Sequence, residues 1–482
     1  MAPITSLIQA TFSASSVQAL FNSNLSDVPL HYFERYRGFT IPSSWKLQIN
    51  ATMTDFRHRT SKLFLLKVIA LFVVSITFSP IAGAQSPARI SLDDAIKLAI
   101  EHSHALKAAQ SQIPQSQANE VTANLRPNPL LSWDAQFIPI FEPSQLTSTF
   151  LNDNAQYDLG IGYTIERGKK RQARLAAAQD ATTVTRYQVA DTERTLAFSV
   201  AQQFINVLLA ESNLDFAKQA LDSYQKTVGI SNARFKAGDI SEGDLLKVKL
   251  QLLQFQSDVS AANVARVQGL AQLRQFIGYD ALPDTYDITG DLLYRPLDLN
   301  VDDLKLRALR ERPDLLEANA GVNAAGSQNR LAIANGKQDL GTTFTYSHVS
   351  GTNTAAFFFN IPLAVFDRNQ GEIARTRYAI DQAKQMDLAA SDGVLTDVYS
   401  AYAAVRSNDE VVKLYTSGYL DQAKESLDIS QYAFQHGAAS LLDFLDAERS
   451  YRSVQLSYRQ SLASYMLAVE QLKAAVGTRA IP

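Results

Sequence analysis

Asp443 and Asp446 are the carboxylates whose spacing best fits a chemical role. They lie three residues apart, close to one helical turn, and they follow Gly437. Carboxylates gathered at one place attract cations, and their mutual repulsion raises their affinity for protons. Acidic residues also suit the first turn of a helix with no further role, because the helix macrodipole is positive there. The residues alone leave both interpretations open.

The rest of the sequence offers no catalytic constellation. The chain of 482 residues contains no cysteine, which excludes disulfides, thiolate metal sites and cysteine nucleophiles. It also lacks a glycine-rich phosphate loop, a nucleophile elbow and an HExxH motif. The formal net charge of −3 gives no argument for nucleic acid as a partner. We therefore predict that the protein is not an enzyme and has neither a cofactor nor a resident metal.

Residues 53–84 have the layout of a secretory signal peptide. A basic cluster at 57–62 precedes an apolar run at 63–81, and small residues follow at 82–84. A membrane anchor of similar length is the alternative. Pro80 and the small residues after it favour cleavage instead.

The position of this signal bears on where the protein starts. Because signal peptides are N-terminal, we predict that Met53 is the true start and that residues 1–52 are a mis-called N-terminal extension. Cleavage after Ala84 would leave residues 85–482 as the exported protein.

Two long stretches of the exported part predict helices. No proline occurs between Pro143 and Pro283 or between Pro362 and Pro482, and both stretches are rich in helix-forming residues. Residues 169–237 contain a single glycine, and their apolar side chains recur at helical spacing. A helix of that length would extend for about 100 Å at 1.5 Å per residue. Such length predicts coiled-coil packing rather than a globular core.

Four other segments predict β-strands. Apolar and polar residues alternate in them, as in Leu131, Trp133 and Phe137. Each segment has about 9–12 residues, the length that a tilted strand needs to cross a bilayer. Two ordinary hairpins on a soluble helical protein are the alternative. The segments cover residues 130–141, 157–166, 340–349 and 355–364.

The chain repeats itself at an offset of 199 residues. RFKAGDISEGDLL at 234–246 aligns with AFQHGAASLLDFL at 433–445. Each repeat predicts a helix, a hairpin, a very long helix, a tight turn at glycine and a return helix. We expect a left-handed glycine after each long helix and a serine N-cap on each return helix. These residues are Gly238 and Ser241 in the first repeat, 85–290, and Gly437 and Ser440 in the second, 291–482.

Four strands in one chain are too few to close a barrel. The smallest transmembrane barrels have eight strands, and an open sheet edge in lipid is very costly. Two copies would supply eight strands, a barrel that side chains fill, whereas three copies would supply twelve and enclose a channel. The sequence therefore predicts a mainly α-helical protein with membrane β-structure, assembled from identical copies.

Several short motifs support a family resemblance. LRPNP at 125–129, RPDLLEANAGVNAA at 312–325 and the two glycine turns are similar to those of the TolC family of outer-membrane efflux proteins, over residues 89–478. IERGKKRQAR at 165–174 and IPLAVFDRNQGEIA at 361–374 resemble the heavy-metal efflux branch, the CzcC-like proteins.

The resemblance implies a TolC-like homotrimer. A twelve-stranded β-barrel, with four strands from each chain, would lie in outer-membrane lipid and continue as a twelve-helix α-barrel in the periplasm. The partners would be a periplasmic adaptor (membrane fusion) protein and an inner-membrane pump, often of the resistance–nodulation–division (RND) class. The chain would be the passive export duct of this tripartite system, with heavy-metal cations as cargo. A duct for drugs or small organic molecules is one alternative, and a secreted structural coiled-coil protein is an alternative of another class.

The resemblance also implies roles for residues near the turns. Asp443 and Asp446 match the aspartates that ring the periplasmic entrance, so three chains would gather six carboxylates there as a gate. Some relatives carry an arginine latch at the place of Ala439. The tips would dock the adaptor through Arg234, Phe235, Gly238, Ser241, Asp244, Phe434, Gly437 and Ser440.

Overall fold

A computed structural model describes residues 88–480 of the chain. The predicted extension at 1–52, the start at Met53 and the signal peptide at 53–84 lie outside these residues. No helix in this described part is long and apolar enough to cross a membrane.

The first half of the described chain is built around two long helices. Four shorter α-helices and three strands precede them, and a short strand follows them. In chain order the elements are β1 (Ala88–Ile90), α1 (Leu92–His102), α2 (His104–Gln110), α3 (Gln112–Asn124), β2 (Leu130–Gln136), α4 (Ser148–Asp153), β3 (Gln156–Ile165), α5 (Lys170–Ala237), α6 (Glu242–Ile277) and β4 (Tyr286–Ile288).

The second half follows the same plan. Two helices lead into a hairpin, and long helices come after it. The elements are α7 (Val301–Glu311), α8 (Pro313–Asn335), β5 (Leu340–Val349), β6 (Thr352–Asn360), α9 (Gln370–Leu414), a π-helical turn (Tyr415–Tyr419), α10 (Leu420–Gln435) and α11 (Leu441–Val476).

The long helices predicted from proline and glycine placement are confirmed. Helix α5 runs for 68 residues without a break, which is about 100 Å at 1.5 Å per residue. The equivalent helix of the second half is interrupted. Gly418 adopts φ +124° within a π-helical turn, so α9 and α10 meet at a kink. Glycine was the only sequence signal of this kink, since other residues rarely adopt that φ.

Strands β2, β3, β5 and β6 form one four-stranded antiparallel sheet in that order. The sequence predicts two separate hairpins. In the structure, ten residues of β3 pair with β5, and this pairing joins the two hairpins into one sheet. A two-residue turn, Ser350–Gly351, joins β5 to β6 with both residues at positive φ, as tight hairpins require.

Three of the four predicted strands differ in extent, although β3 is shifted by only one residue and covers 156–165 instead of 157–166. Strand β2 ends at Gln136 instead of residue 141, because Phe137 adopts φ +58° and Pro139 lacks an N–H for a sheet ladder. Strand β6 covers 352–360 instead of 355–364. It starts directly after the turn and stops before Pro362, where the ladder would again lose a donor.

The sheet has one apolar and one polar face. Cross-strand pairing places Trp133, Leu159 and Tyr346 in one row, and Phe344 and Phe357 stand beside them on the same face. Their exposed fractions range from 39% to 72%. The opposite face carries Ser132, Asp134, Asp158, Gly160, Thr343, Thr345 and Ser347, together with Leu130 and Phe358.

Three clusters of buried side chains hold the helices together. The first surrounds Phe204 and joins α1, α5, α6, β1 and β4. The second surrounds Val398 and joins α7, α8, α9 and α11. The third lies near the glycine turns, where Tyr224, Phe434 and Phe444 bring both repeats together. Each large apolar side chain buried in this way contributes about 1.5–3 kcal/mol.

Candidate functional site

The first candidate site is the turn between α5 and α6, here called tip 1 (residues 234–246). Gly238 ends α5 at φ +86°, where a side chain would be strained. Ser241 caps α6, its Oγ accepting a hydrogen bond from the Asp244 N–H at 3.0 Å. Asp244 accepts from the Ser241 hydroxyl at 2.8 Å and pairs with Lys247 at 3.3 Å. The predicted left-handed glycine and serine N-cap are confirmed at this tip.

The turn between α10 and α11, tip 2 (residues 433–446), has the same design. Gly437 adopts φ +76°, and Ser440 caps α11. The cap is a complete capping box. The Asp443 N–H donates to Ser440 Oγ at 3.2 Å, and the Asp443 carboxylate accepts from the Ser440 N–H at 3.1 Å and from its hydroxyl at 2.7 Å. In both tips, therefore, a glycine and a serine N-cap within the turn determine the backbone conformation.

Capping changes the electrostatic prediction for Asp443. The hydrogen bonds from the Ser440 hydroxyl, and after them those from its backbone, hold the pKa of the exposed Asp443 carboxyl below its usual range. Within a single chain its affinity for protons is thus lowered, and carboxylates from other chains would act in the opposite direction. The predicted Ser440 N-cap is confirmed, but the prediction did not include Asp443 as its partner. The Ser440-Leu-Leu-Asp443 spacing is the sequence signal that would have shown it.

Asp446 distinguishes the two tips. It occupies the place of Lys247, which pairs with Asp244 in tip 1. Asp443 and Asp446 are both exposed, and neither forms an ion pair with any residue between 88 and 480. Tip 2 therefore presents two carboxylates where tip 1 presents an ion pair.

The two tips of one chain contact each other through Arg234. Its guanidinium donates a hydrogen bond to the Phe434 carbonyl oxygen and lies 5.2 Å from the centre of the Phe434 ring. Phe434 is buried and stacks on Phe444 at 5.3 Å. Its buried ring offers no surface in the described chain, and its role in adaptor docking stays a prediction. Phe235, at the equivalent place in tip 1, is 39% exposed.

Replacing Arg234 with alanine is expected to loosen tip 2. The variant loses the bond to the Phe434 carbonyl, and a hydrogen bond from a charged donor contributes about 1.5–3 kcal/mol. The Ala438 N–H, which donates to the Ala433 carbonyl oxygen at 2.8 Å, should then exchange about tenfold faster or more in hydrogen–deuterium exchange. Lys236→Ala, an exposed charge in the same turn of α5, is the control and should leave this rate unchanged. Equal rates in wild type and Arg234→Ala would show that the contact has no stabilising effect.

The second candidate site is the sheet, which salt bridges fix to the long helices. Arg174 of α5 pairs with Glu166 and donates to the Leu125 carbonyl oxygen at 3.1 Å. Lys170 pairs with Asp339 at 2.8 Å. These contacts connect the end of β3, the start of β5 and the segment between α3 and β2 to the first turns of α5. Two of the basic residues after β3, Lys170 and Arg174, thus hold the sheet against α5.

The sheet leaves two edges open in a single chain. Strands β2 and β6 are the outer strands, and each pairs with one neighbour only among the strands of residues 88–480. Apolar side chains remain exposed beside these edges, including Leu131 at 71% and Phe359 at 72%. Exposed edges and a large exposed apolar face both mark surfaces that need a partner.

A family model described as "Outer membrane efflux protein" matches residues 95–279 and 305–478. The chain belongs to this family. The predicted TolC-type kinship and outer-membrane location are therefore confirmed, and the chain is an outer-membrane efflux channel. The family is a channel family, not an enzyme family, and its members are components of tripartite efflux systems.

Individual relatives agree with this membership. The chain is 24% identical to the cobalt-zinc-cadmium resistance protein CzcC of Cupriavidus metallidurans, over 79% of this chain and 88% of that protein. It is also 24% identical to the pyoverdine export outer membrane protein OpmQ of Pseudomonas aeruginosa, over 80% and 83%. The solved structure of the outer membrane protein VceC from Vibrio cholerae shares the fold, with a TM-score of 0.65 at 19% identity over 80% of this chain and 96% of that one.

Proposed function

We propose that three copies of this chain form one export channel, with a twelve-stranded β-barrel in the outer membrane and a twelve-helix α-barrel in the periplasm. The four-stranded sheet, with its open edges and its two unlike faces, is the observation that carries this proposal. Pairing of β6 in one copy with β2 in the next removes every edge once the ring closes. Three copies give a barrel wide enough for a channel, whereas two give one that side chains fill.

The faces of the sheet support the same arrangement. The apolar face, with Trp133 and Phe357, would meet lipid, and the polar face, with Ser132 and Thr345, would line a wet lumen. The extent of β3 and β5, ten residues each, suits tilted strands that cross a bilayer.

We propose that the two tips contact the other proteins of the efflux system. Exposed residues of the two turns would dock a periplasmic adaptor, which joins the channel to an inner-membrane pump of the RND class. The proposed docking residues are Arg234, Phe235, Gly238, Ser241, Asp244, Gly437 and Ser440.

Asp443 and Asp446 are the proposed gate at the periplasmic entrance. Three copies would bring six carboxylates together, and such rings favour cations. Because Asp443 is held by the Ser440 cap, Asp446 has the more freely placed carboxylate of the two.

The proposed cargo is heavy-metal cations. CzcC, a relative that covers most of this chain, is named for resistance to cobalt, zinc and cadmium. OpmQ, of equal identity, is named for pyoverdine export, which favours a small organic molecule as the second candidate. The carboxylates of tip 2 fit cations better than an anionic organic molecule.

Deletion of the gene distinguishes these cargoes. The deletion strain should lose tolerance to cobalt, zinc or cadmium and should recover it when the wild-type gene is restored. Tolerance to uncharged drugs serves as the internal comparison and should change less. Unchanged metal tolerance together with lost drug tolerance would support the organic cargo and contradict the metal assignment.

A further inference from the structure

A cavity of about 210 Å³ separates the α10–α11 hairpin from helices α5 and α6. It lies close to tip 2 and next to the third buried cluster. Its walls combine aromatic rings with polar side chains from all four helices. They include Tyr224 of α5, Phe255 of α6, Asp428 of α10, and Glu448 and Arg452 of α11.

Glu448 is a buried carboxyl group in this cavity, with only 8% of the residue exposed. Its nearest cation is Arg452, whose Nε lies 3.7 Å away, and the same guanidinium also pairs with Asp258 of α6. The hydroxyl of Tyr224 lines the same cavity, is buried and has no hydrogen-bond partner among residues 88–480. A buried carboxylate with one shared cation is costly, whereas a protonated carboxyl is tolerated.

Residues 88–290 of the first repeat contain no equivalent of this arrangement. The residue aligned with Glu448 is Lys249, which is exposed on α6. The residue aligned with the kink at Gly418 is Gln219, in the middle of the unbroken helix α5. Among the described residues, the second repeat alone therefore combines a buried acid with a helix kink. Glu448 lies on the hairpin that carries Asp443 and Asp446, and the kink directly precedes that hairpin.

We propose that Glu448 is a proton-sensitive latch, which holds the α10–α11 hairpin against α5 and α6 when it is protonated and loosens this packing when it is ionised. The kink at Gly418 gives α10 a place to bend without unfolding α9. The latch would make the stability of tip 2, but not that of tip 1, depend on pH.

The electrostatics agree with this geometry. Burial raises the pKa of Glu448 to about 7; Arg452 and Arg449 oppose the rise, and Asp258 adds to it. Because the pKa is raised on folding, the stabilisation is complete below the ordinary value of 4.5 and is lost as pH rises through about 7. The titratable and charged groups around the cavity are Tyr224 on α5, Asp258 on α6, Lys424 and Asp428 on α10, and Arg449, Tyr451 and Arg452 on α11.

Hydrogen–deuterium exchange of the full chain at pH 6 and pH 8 tests the latch. Protection factors of α10 and of the first two turns of α11 should fall by about tenfold over this range in the wild type. Glu448→Gln, which mimics the protonated carboxyl, should show no such fall. Glu425→Gln, an exposed carboxyl on α10, is the matched control and should behave like the wild type.

A second variant keeps the test decisive if Glu448→Gln does not fold. Arg452→Gln removes the cation that favours ionised Glu448, so the transition should move to higher pH. A wild type whose protection at tip 2 does not change between pH 6 and pH 8 would overturn the proposal, as would a Glu448→Gln variant that retains the change. Either result would leave the proposed channel function untouched, because it concerns packing within one chain.

Discussion

The Ala355→Lys substitution is expected to block assembly in the outer membrane, whereas Ala356→Lys, one residue further along β6, is expected to be tolerated. Ala355 pairs with Tyr346 on the apolar face, and Ala356 pairs with Thr345 on the polar face. A lysine facing lipid near the middle of the bilayer costs about 2–4 kcal/mol per chain. A lysine in a wet lumen has no such cost. The same amino acid thus has opposite outcomes at adjacent positions.

Heat-modifiable migration on gels measures this difference. Outer-membrane fractions of Ala356→Lys should contain folded oligomer at the wild-type level, and those of Ala355→Lys should contain little or none. Similar assembly of both variants would mean that the two faces of the sheet do not meet lipid and water as proposed.

Asp446→Asn is expected to abolish most of the cation block of the channel while leaving the fold intact. In planar bilayers, Zn²⁺ added on the side of the tips should inhibit the variant at a concentration about tenfold higher or more, a loss of about 1.4 kcal/mol in binding. Asp446 is exposed and holds no cap, so its removal should not disturb α11. Asp443→Asn should weaken block as well, but it should also loosen the first turn of α11, because an uncharged amide oxygen accepts the hydrogen bonds from Ser440 less strongly than the carboxylate does.

Asp421→Asn is the matched control for Asp446→Asn. It removes the same charge from an exposed position at the start of α10, away from tip 2. Block equal to that of the wild type in Asp446→Asn, or equally weakened block in Asp421→Asn, would exclude a local gate at tip 2.

Features set by local interactions could be predicted from the sequence. The left-handed glycines at 238 and 437 and the caps at Ser241 and Ser440 depend on residues within four positions of each other. The length of α5 follows from an unbroken run of helix-forming residues without proline. Such features need no knowledge of distant contacts.

Features set by distant packing could not be predicted in this way. Phe235 and Phe434 align in the two repeats, yet one is exposed and the other buried, because only Phe434 meets Phe444 and Arg234. The single sheet arises because β3 pairs with β5, which lies more than 170 residues away in the chain. Likewise, the burial of Glu448 depends on four helices meeting around one cavity.

Disulfide cross-linking between strand edges tests the central claim most directly, and the absence of native cysteine leaves no background. Ser132→Cys on β2 is combined in turn with Thr354→Cys, Ala356→Cys or Phe358→Cys on β6, all on the polar face. Within one chain these edges are about 14 Å apart, three strand spacings, which is too far for a disulfide. At one of the three registers, oxidation should give covalent dimers and trimers and nothing larger. Monomers at every register, or a ladder that continues beyond three chains, would contradict a closed ring of three copies.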